Sequence, residues 1–272
     1  MLIKLLNISA KVLFIFFISS CSNVLKDIAS SDEDTELLIE AKANINVLNY
    51  QAAIDILTLR ISAGAKLKTE FRESLASAYA GKCGLNFASF VNSLSTATSG
   101  SAFRLMMTPF VALAVDPASC LLAANTMELI GPTTSRSANQ NAFVSVVGMS
   151  LLGSQTRFSA DSTPVNGDGT IDQNVCALSD AVIDNVILGF GFMAKNFSAL
   201  STAQLGSSSQ TSINDGINQC TAVAGSTCQI TNPADITPAV RNTIKDLMNT
   251  SEYGVGSVVT GGNPVAIAAA CP

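Results

Sequence analysis

Apolar residues in this chain recur at every third or fourth position, and this spacing limits the fold more than any other feature. Two segments show it most clearly, with one apolar face formed by Phe71, Leu75, Ala78 and Tyr79 and another by Ile183, Val186, Ile187, Phe190 and Ala194. The 3.6-residue turn of an α-helix brings such positions onto one face. Alternation of apolar and polar residues over a useful length, as in a β-strand, is absent. The sequence therefore predicts an all-α protein of about ten helices.

The pattern predicts one α-helical domain over residues 35–272, built as a helical bundle or as a short array of helical repeats. Thr237-Pro238 is typical of a helix start, because a capping hydroxyl precedes a proline in the first turn. Stretches rich in Ser, Thr and Gly predict loops, including one long, turn-rich loop at 159–175 and a shorter one at 204–211. Segments 103–115 and 181–197 are apolar enough to form helices that line an internal pocket.

The N-terminus carries a segment that directs export. Lys4 and Lys11 give a positive N-terminal region, and the apolar run that follows, 12–18, is too short to span a bilayer. The tetrapeptide Ile18-Ser19-Ser20-Cys21 that follows resembles the bacterial lipobox. This resemblance implies a signal peptide over residues 1–20, cleavage before Cys21, and acylation of Cys21. The mature chain then begins with a lipidated tether over residues 21–34, and several acyl chains on one residue give a firm membrane anchor.

The residue after the lipidated cysteine bears on the location. Ser22, rather than aspartate, follows Cys21. By resemblance to enterobacterial lipoproteins, this predicts anchoring in the outer membrane, with the protein domain facing the periplasm.

The other six cysteines are predicted to form disulfides, because an even number in an exported protein is typical of them. They are Cys83, Cys120, Cys176, Cys220, Cys228 and Cys271. Only the short spacing of Cys220 and Cys228 favours a particular pair. Zinc is the competing interpretation, but the chain has no histidine and no CxxC pair, so the usual zinc ligand sets are poorly represented.

Charge and composition limit the functional classes. A formal net charge of −5 without any basic cluster argues against binding to nucleic acid. The absence of histidine excludes Ser-His and Cys-His nucleophile pairs. The acidic residues are scattered without motif context, so the sequence predicts a protein that is not an enzyme.

A weak repeat occupies residues 35–95. The segments LNYQAAIDIL (48–57) and ASAYAGKCGLNFASFV (76–91) place Ala53 and Ala88 in equivalent positions, with Gly84 in a turn. The spacing is close to the 34-residue period of tetratricopeptide repeats, which these segments resemble. The resemblance implies a helical-repeat lipoprotein of the periplasm, such as the lipoprotein component associated with some tripartite ATP-independent transporters. A plain helical bundle with an alanine-rich interface explains the same residues.

The stretch TPVNGDGTIDQNVC (163–176) is the one segment with the pattern of a ligand site. Its centre resembles the calcium loops of EF-hand and dockerin proteins, with Gly169 at the turn. That register assigns calcium ligands to Asn166, Asp168, Thr170 and Asp172.

The pattern is incomplete at both ends of the loop. Pro164 and Val175 stand where acidic ligands are usual, and calcium takes six to eight oxygens. Asp161, Ser162 or Asp180 would then have to supply further ligands from outside the loop. The alternative is a tight turn, because Asn-Gly and Asp-Gly pairs form turns without any ion.

Together these patterns predict a non-catalytic, outer-membrane-anchored lipoprotein. It would act as a scaffold or binding partner for another protein of the cell envelope. The alternative is a lipoprotein that binds a small ligand, or assists a transporter, through an apolar pocket between helices. No cofactor is expected apart from a possible structural calcium ion.

Overall fold

The computed structural model describes residues 33–161 and 167–271, and within them the all-α prediction is confirmed. These residues form 12 helices and no strand. The helices are α1 Glu33–Asn46, α2 Tyr50–Asp55, α3 Thr69–Lys82, α4 Phe87–Thr96, α5 Ala102–Met107, α6 Pro117–Glu128, α7 Ala138–Ala160, α8 Asp180–Asn196, α9 Thr202–Leu205, α10 Ser207–Ala224, α11 Pro238–Met248 and α12 Pro264–Ile267. A π-helical turn, Ile56–Arg60, continues α2.

Local side-chain caps explain where several helices begin. The hydroxyl of Thr237 accepts a hydrogen bond from the Val240 amide at 3.4 Å, as predicted for the start of α11. At the start of α7, Ser137 and Gln140 bond to each other's backbone amides at 3.2 and 2.7 Å. Such reciprocal caps satisfy amides that have no partner within the helix.

The centre of the fold is the pair α7 and α8. Helix α7 is buried over most of its circumference, as expected for a helix surrounded by others. It meets α8 at two glycines: a Cβ added at Gly148 would lie 2.7 Å from the Gly189 carbonyl oxygen, and one added at Gly189 would lie 2.8 Å from the Leu152 nitrogen. The two backbones therefore touch where both side chains are missing.

Residues 33–82, the N-terminal layer, have a core of their own. Leu37, Ile54 and Phe71 are buried with neighbours from the same three helices, separately from the main core. Tyr79 is the side chain that contacts both cores. The layer begins at Glu33 rather than at residue 35, so the last two residues of the predicted tether are helical.

The repeat-like segments form successive helical hairpins, α1–α2 and α3–α4. Gly84 lies in the turn between α3 and α4 with φ +105°, a conformation that favours glycine. Ala53 is fully buried, whereas Ala88 is exposed, so the two alanines do not share an environment. Whether the hairpins are tetratricopeptide repeats stays a prediction.

Three disulfides confirm the prediction from the cysteine count. They join Cys220 to Cys228, the pair favoured by spacing, Cys83 to Cys120, and Cys176 to Cys271. The predicted signal peptide, Cys21 and the predicted tether up to residue 32 lie outside the described residues. Within the described part of the chain, no helix has the length and apolarity needed to cross a membrane.

Two predicted segments differ from the structure. Segment 103–115 is helical only to Met107, followed by one 3-10 turn, Thr108–Phe110, because proline at position 109 cannot continue the α-helix. The predicted loop at 204–211 is instead the junction of α9 and α10, which meet at Gly206 with φ +75°.

Candidate functional site

The described part of the calcium-like loop, Gly167 to Asp172, is a double turn. Gly167 and Gly169 have φ values of +85° and +91°, and the Asp168 carboxylate accepts a hydrogen bond from the Thr170 amide at 2.7 Å. These are the backbone conformation and the side-chain bond that Asp-Gly turns use. Asn166, Ser162 and Pro164 lie outside the described residues.

Asp161 closes this loop from the end of α7. Its carboxylate is buried and accepts the amides of Asp168 at 3.2 Å and Gly169 at 2.9 Å. Asp180 is not part of the loop, because its carboxylate lies 3.6 Å from Arg241 and 3.7 Å from Lys245 on α11.

The described carboxylates of the loop serve its backbone. The carboxylates of Asp161 and Asp168 already accept backbone amides. Among residues 33–161 and 167–271, no three His, Cys, Asp or Glu side chains are grouped to hold a metal ion. Calcium binding by the loop stays a prediction.

Asp161→Asn tests the closure of the loop. We expect it to lower the free energy of unfolding by about 2 kcal/mol, because two amides lose a charged acceptor. Urea unfolding measures the change, and Asp168→Asn, at an exposed side chain, is the matched control with a smaller expected loss. Unfolding of the unchanged protein with calcium and with chelator belongs in the same series. A midpoint that rises with calcium would show that the loop holds an ion.

The apolar segments 103–115 and 181–197 do not enclose the predicted pocket. Phe103 and Phe190 stack with their ring centroids 5.9 Å apart, and both side chains are fully buried in the main core. Packing of these segments against each other accounts for their apolar character.

An apolar cleft of about 640 Å³ lies elsewhere, between the N-terminal layer and the main body. Its apolar walls come from the α1–α2 turn, α3, the start of α4 and the start of α7, namely Ile45, Tyr50, Leu85, Phe87 and Phe143. Tyr50 lies against Gly81 so closely that any side chain at position 81 would collide with the ring. Burial raises the pKa of the Tyr50 hydroxyl above its usual value.

Two smaller cavities adjoin this cleft along α3. They measure about 340 and 320 Å³, and Ser77 lines all three openings. The far end is charged, with Lys42, Glu70 and Glu73 in its walls, and Glu73 accepts a hydrogen bond from Gln140 at 2.7 Å. We call these three openings together the α3 groove.

The α3 groove combines α1, α2 and α3 with the starts of α4 and α7 and with Met127 and Gln204, and no local pattern shows that these side chains meet, so sequence reasoning missed it. The available signal was Gly81, a glycine within a helix, which indicates close approach by another group. Tyr50 makes that approach and forms part of the cleft wall.

Asp246 on α11 has a buried carboxylate that accepts a hydrogen bond from the backbone of Cys271. Burial raises its pKa, while a hydrogen bond from the Cys271 amide at 2.7 Å acts in the opposite direction. This bond fixes the chain end beside the Cys176–Cys271 disulfide.

Comparison with known proteins adds no relative. The chain matches no protein-family profile, no curated protein and no solved structure.

Proposed function

We propose that this chain is a non-catalytic lipoprotein of the bacterial outer membrane that binds a segment of another envelope protein in the α3 groove. The α3 groove is the observation that carries the proposal. Three adjoining openings make a trough rather than a closed cavity, and a trough suits an elongated chain. Peptide segments bind such grooves through apolar anchors at regular intervals.

The chemistry of the groove defines the partner segment. The apolar end, with Tyr50, Phe87 and Phe143, suits an aromatic or aliphatic anchor. At the other end, Glu70 and Glu73 outnumber Lys42, which favours a basic residue on the partner. An amphipathic segment with an apolar anchor and a basic residue fits both ends.

Acylation of Cys21 places the groove close to the membrane. Only 12 positions separate Cys21 from Glu33, where α1 begins. At about 3.6 Å per residue, this tether reaches at most about 40 Å. The partner is therefore a protein of the same membrane or of the adjacent periplasm. The three disulfides agree with this oxidising compartment.

Site-specific photo-crosslinking in intact cells tests the proposal. Phe87, 43% exposed at the rim of the groove, and Phe158, 55% exposed on α7, are each replaced by p-benzoylphenylalanine. We expect a discrete higher-mass adduct from position 87 and none of that mass from position 158. Ser77→Trp, which fills the middle of the groove, should remove the adduct. The same adduct from both positions, or an adduct that survives Ser77→Trp, would refute the assignment.

A small apolar ligand is the second candidate, and the size of the main cleft favours it. A volume of about 640 Å³ lies within the range of small-molecule sites. Absence of any adduct from position 87, together with a co-purified compound in native mass spectra of the full chain, would favour this function over peptide binding.

A further inference from the structure

A second cleft, with polar walls, lies beside the calcium-like loop. It measures about 460 Å³ and is separate from the α3 groove. Its walls come from three places: Arg104 on α5, the segment 169–175, and the stretch around Asn249 and Val255–Ser257. The volume suits a ligand of small-molecule size.

Of the described residues in these walls, Arg104 alone is charged, and the backbone orients it. Its Nη2 donates to the Val255 carbonyl at 2.8 Å, while α5 is capped by Ser101, whose hydroxyl also donates to the Gly254 carbonyl. Within the described part of the chain, Arg104 takes part in no ion pair, and its Nε and Nη1 make no hydrogen bond. Among the residues that the structure describes, no acidic side chain lines the cleft.

The other polar walls carry amides and hydroxyls. Asn174 uses its Oδ1 to accept the Cys176 amide at 3.0 Å, and its Nδ2 is not needed for that bond. Gln173, Thr170 and Ser257 line the same cleft. Groups of this kind bind hydroxyls and carbonyls, and they offer little to an apolar ligand.

We infer that this cleft binds a small, hydroxylated carboxylate, with the carboxylate on Arg104 and the hydroxyls on the amide-bearing walls. Arg104 Nη2 has a second N–H besides the one that donates to Val255, and together with the unused Nε or Nη1 it matches a carboxylate in a bidentate pair. A phosphate group is a poorer match, because it would find only one cation. The first amides of α5 are also occupied, since Phe103 donates to the Tyr253 carbonyl and Arg104 donates to the Ser101 hydroxyl.

The assignment also gives the calcium-like loop a role. Its second half, from Gly169 to Val175, is one wall of the cleft. Asp161 holds the start of that wall by accepting the Gly169 amide at 2.9 Å. The loop then positions a binding surface whether or not an ion is present.

Calorimetric titration of the purified full chain with glucuronate tests the inference, and glucose is the matched neutral probe. We expect glucuronate to bind and glucose to show no binding. Arg104→Gln should weaken glucuronate binding at least tenfold. Arg60→Gln, at an exposed arginine 3.0 Å from Glu40, should leave it unchanged.

Two further measurements keep the result decisive. Ser257→Trp fills the cleft from an exposed position and leaves Arg104 intact, so it should abolish binding even where Arg104→Gln unfolds the protein. Inorganic phosphate should bind more weakly than glucuronate. Equal binding of glucose, no binding of glucuronate, tighter binding of phosphate, or full binding by a folded Arg104→Gln protein would each overturn the inference.

Discussion

Replacing Cys176 and Cys271 together by alanine is expected to lower the free energy of unfolding by about 4–5 kcal/mol. This disulfide spans 95 residues, and closing a long loop restricts the unfolded chain most. Both cysteines are only partly buried, so little core packing is lost with the bond. Urea unfolding without added reductant, so that the other disulfides stay intact, measures the change.

The matched control is the double replacement of Cys220 and Cys228 by alanine. This disulfide spans 8 residues, for which the same relation gives about 2.5 kcal/mol. Cys220 and Cys228 are buried, so lost packing adds to this figure, and a still larger loss from the long loop would support the explanation by loop length. In the unfolded state, the same explanation requires reduction of the 176–271 disulfide to expand the chain more than reduction of the 220–228 disulfide, and equal expansion by small-angle scattering in urea would contradict it.

Gly148→Ala is expected to lower the free energy of unfolding by about 3 kcal/mol, because the new methyl group meets backbone rather than a movable side chain. The added Cβ would lie 2.5 Å from the Met193 nitrogen and 2.7 Å from the Gly189 oxygen. Helices α7 and α8 would have to separate to admit it. Thermal and urea unfolding both measure the loss.

Gly64→Ala is the matched control. No atom lies within 4 Å of a Cβ added at Gly64, and its φ of −68° suits alanine. The substitution should stabilise the protein slightly, by about 0.4–1 kcal/mol, because the unfolded chain loses freedom. A similar loss at both positions would mean that glycine replacement, and not the helix contact, causes the effect.

Most helices could be predicted from the sequence because apolar spacing and caps are local signals. The face of α8 and the start of α11 at Thr237 followed directly from them. The serines at 207–209 misled the same reasoning, since serine-rich stretches favour loops. In the structure, Ser209 is buried, and its hydroxyl donates to the Leu94 carbonyl at 2.6 Å. A partner 115 positions away leaves no trace in local composition.

The same distinction, between local signals and contacts between separate segments, explains which sites could be predicted. The tandem turn at Gly167 and Gly169 could be predicted, because each glycine and its aspartate or asparagine neighbour are adjacent in the chain. The α3 groove and the Arg104 cleft could not, because each combines side chains from separate segments. Two of the three cysteine pairings could not be predicted either, because long spacings such as 83 to 120 favour no particular partner.

The cross-links are distributed unevenly along the chain, and this gives the protein two levels of resistance to mechanical force. Residues 33–82 contain no cysteine, whereas disulfides close the segments 83–120 and 176–271, with 220–228 closed again inside the second. A pull on the N-terminal end would load the N-terminal layer first, and there only non-covalent packing opposes it, in the layer's own core and where Ala76 and Ala80 join the main core. Extension would then slow at Cys83, where covalent bonds begin to carry the tension. Such a pull would thus dismantle one wall of the α3 groove before the tension reached the Arg104 cleft.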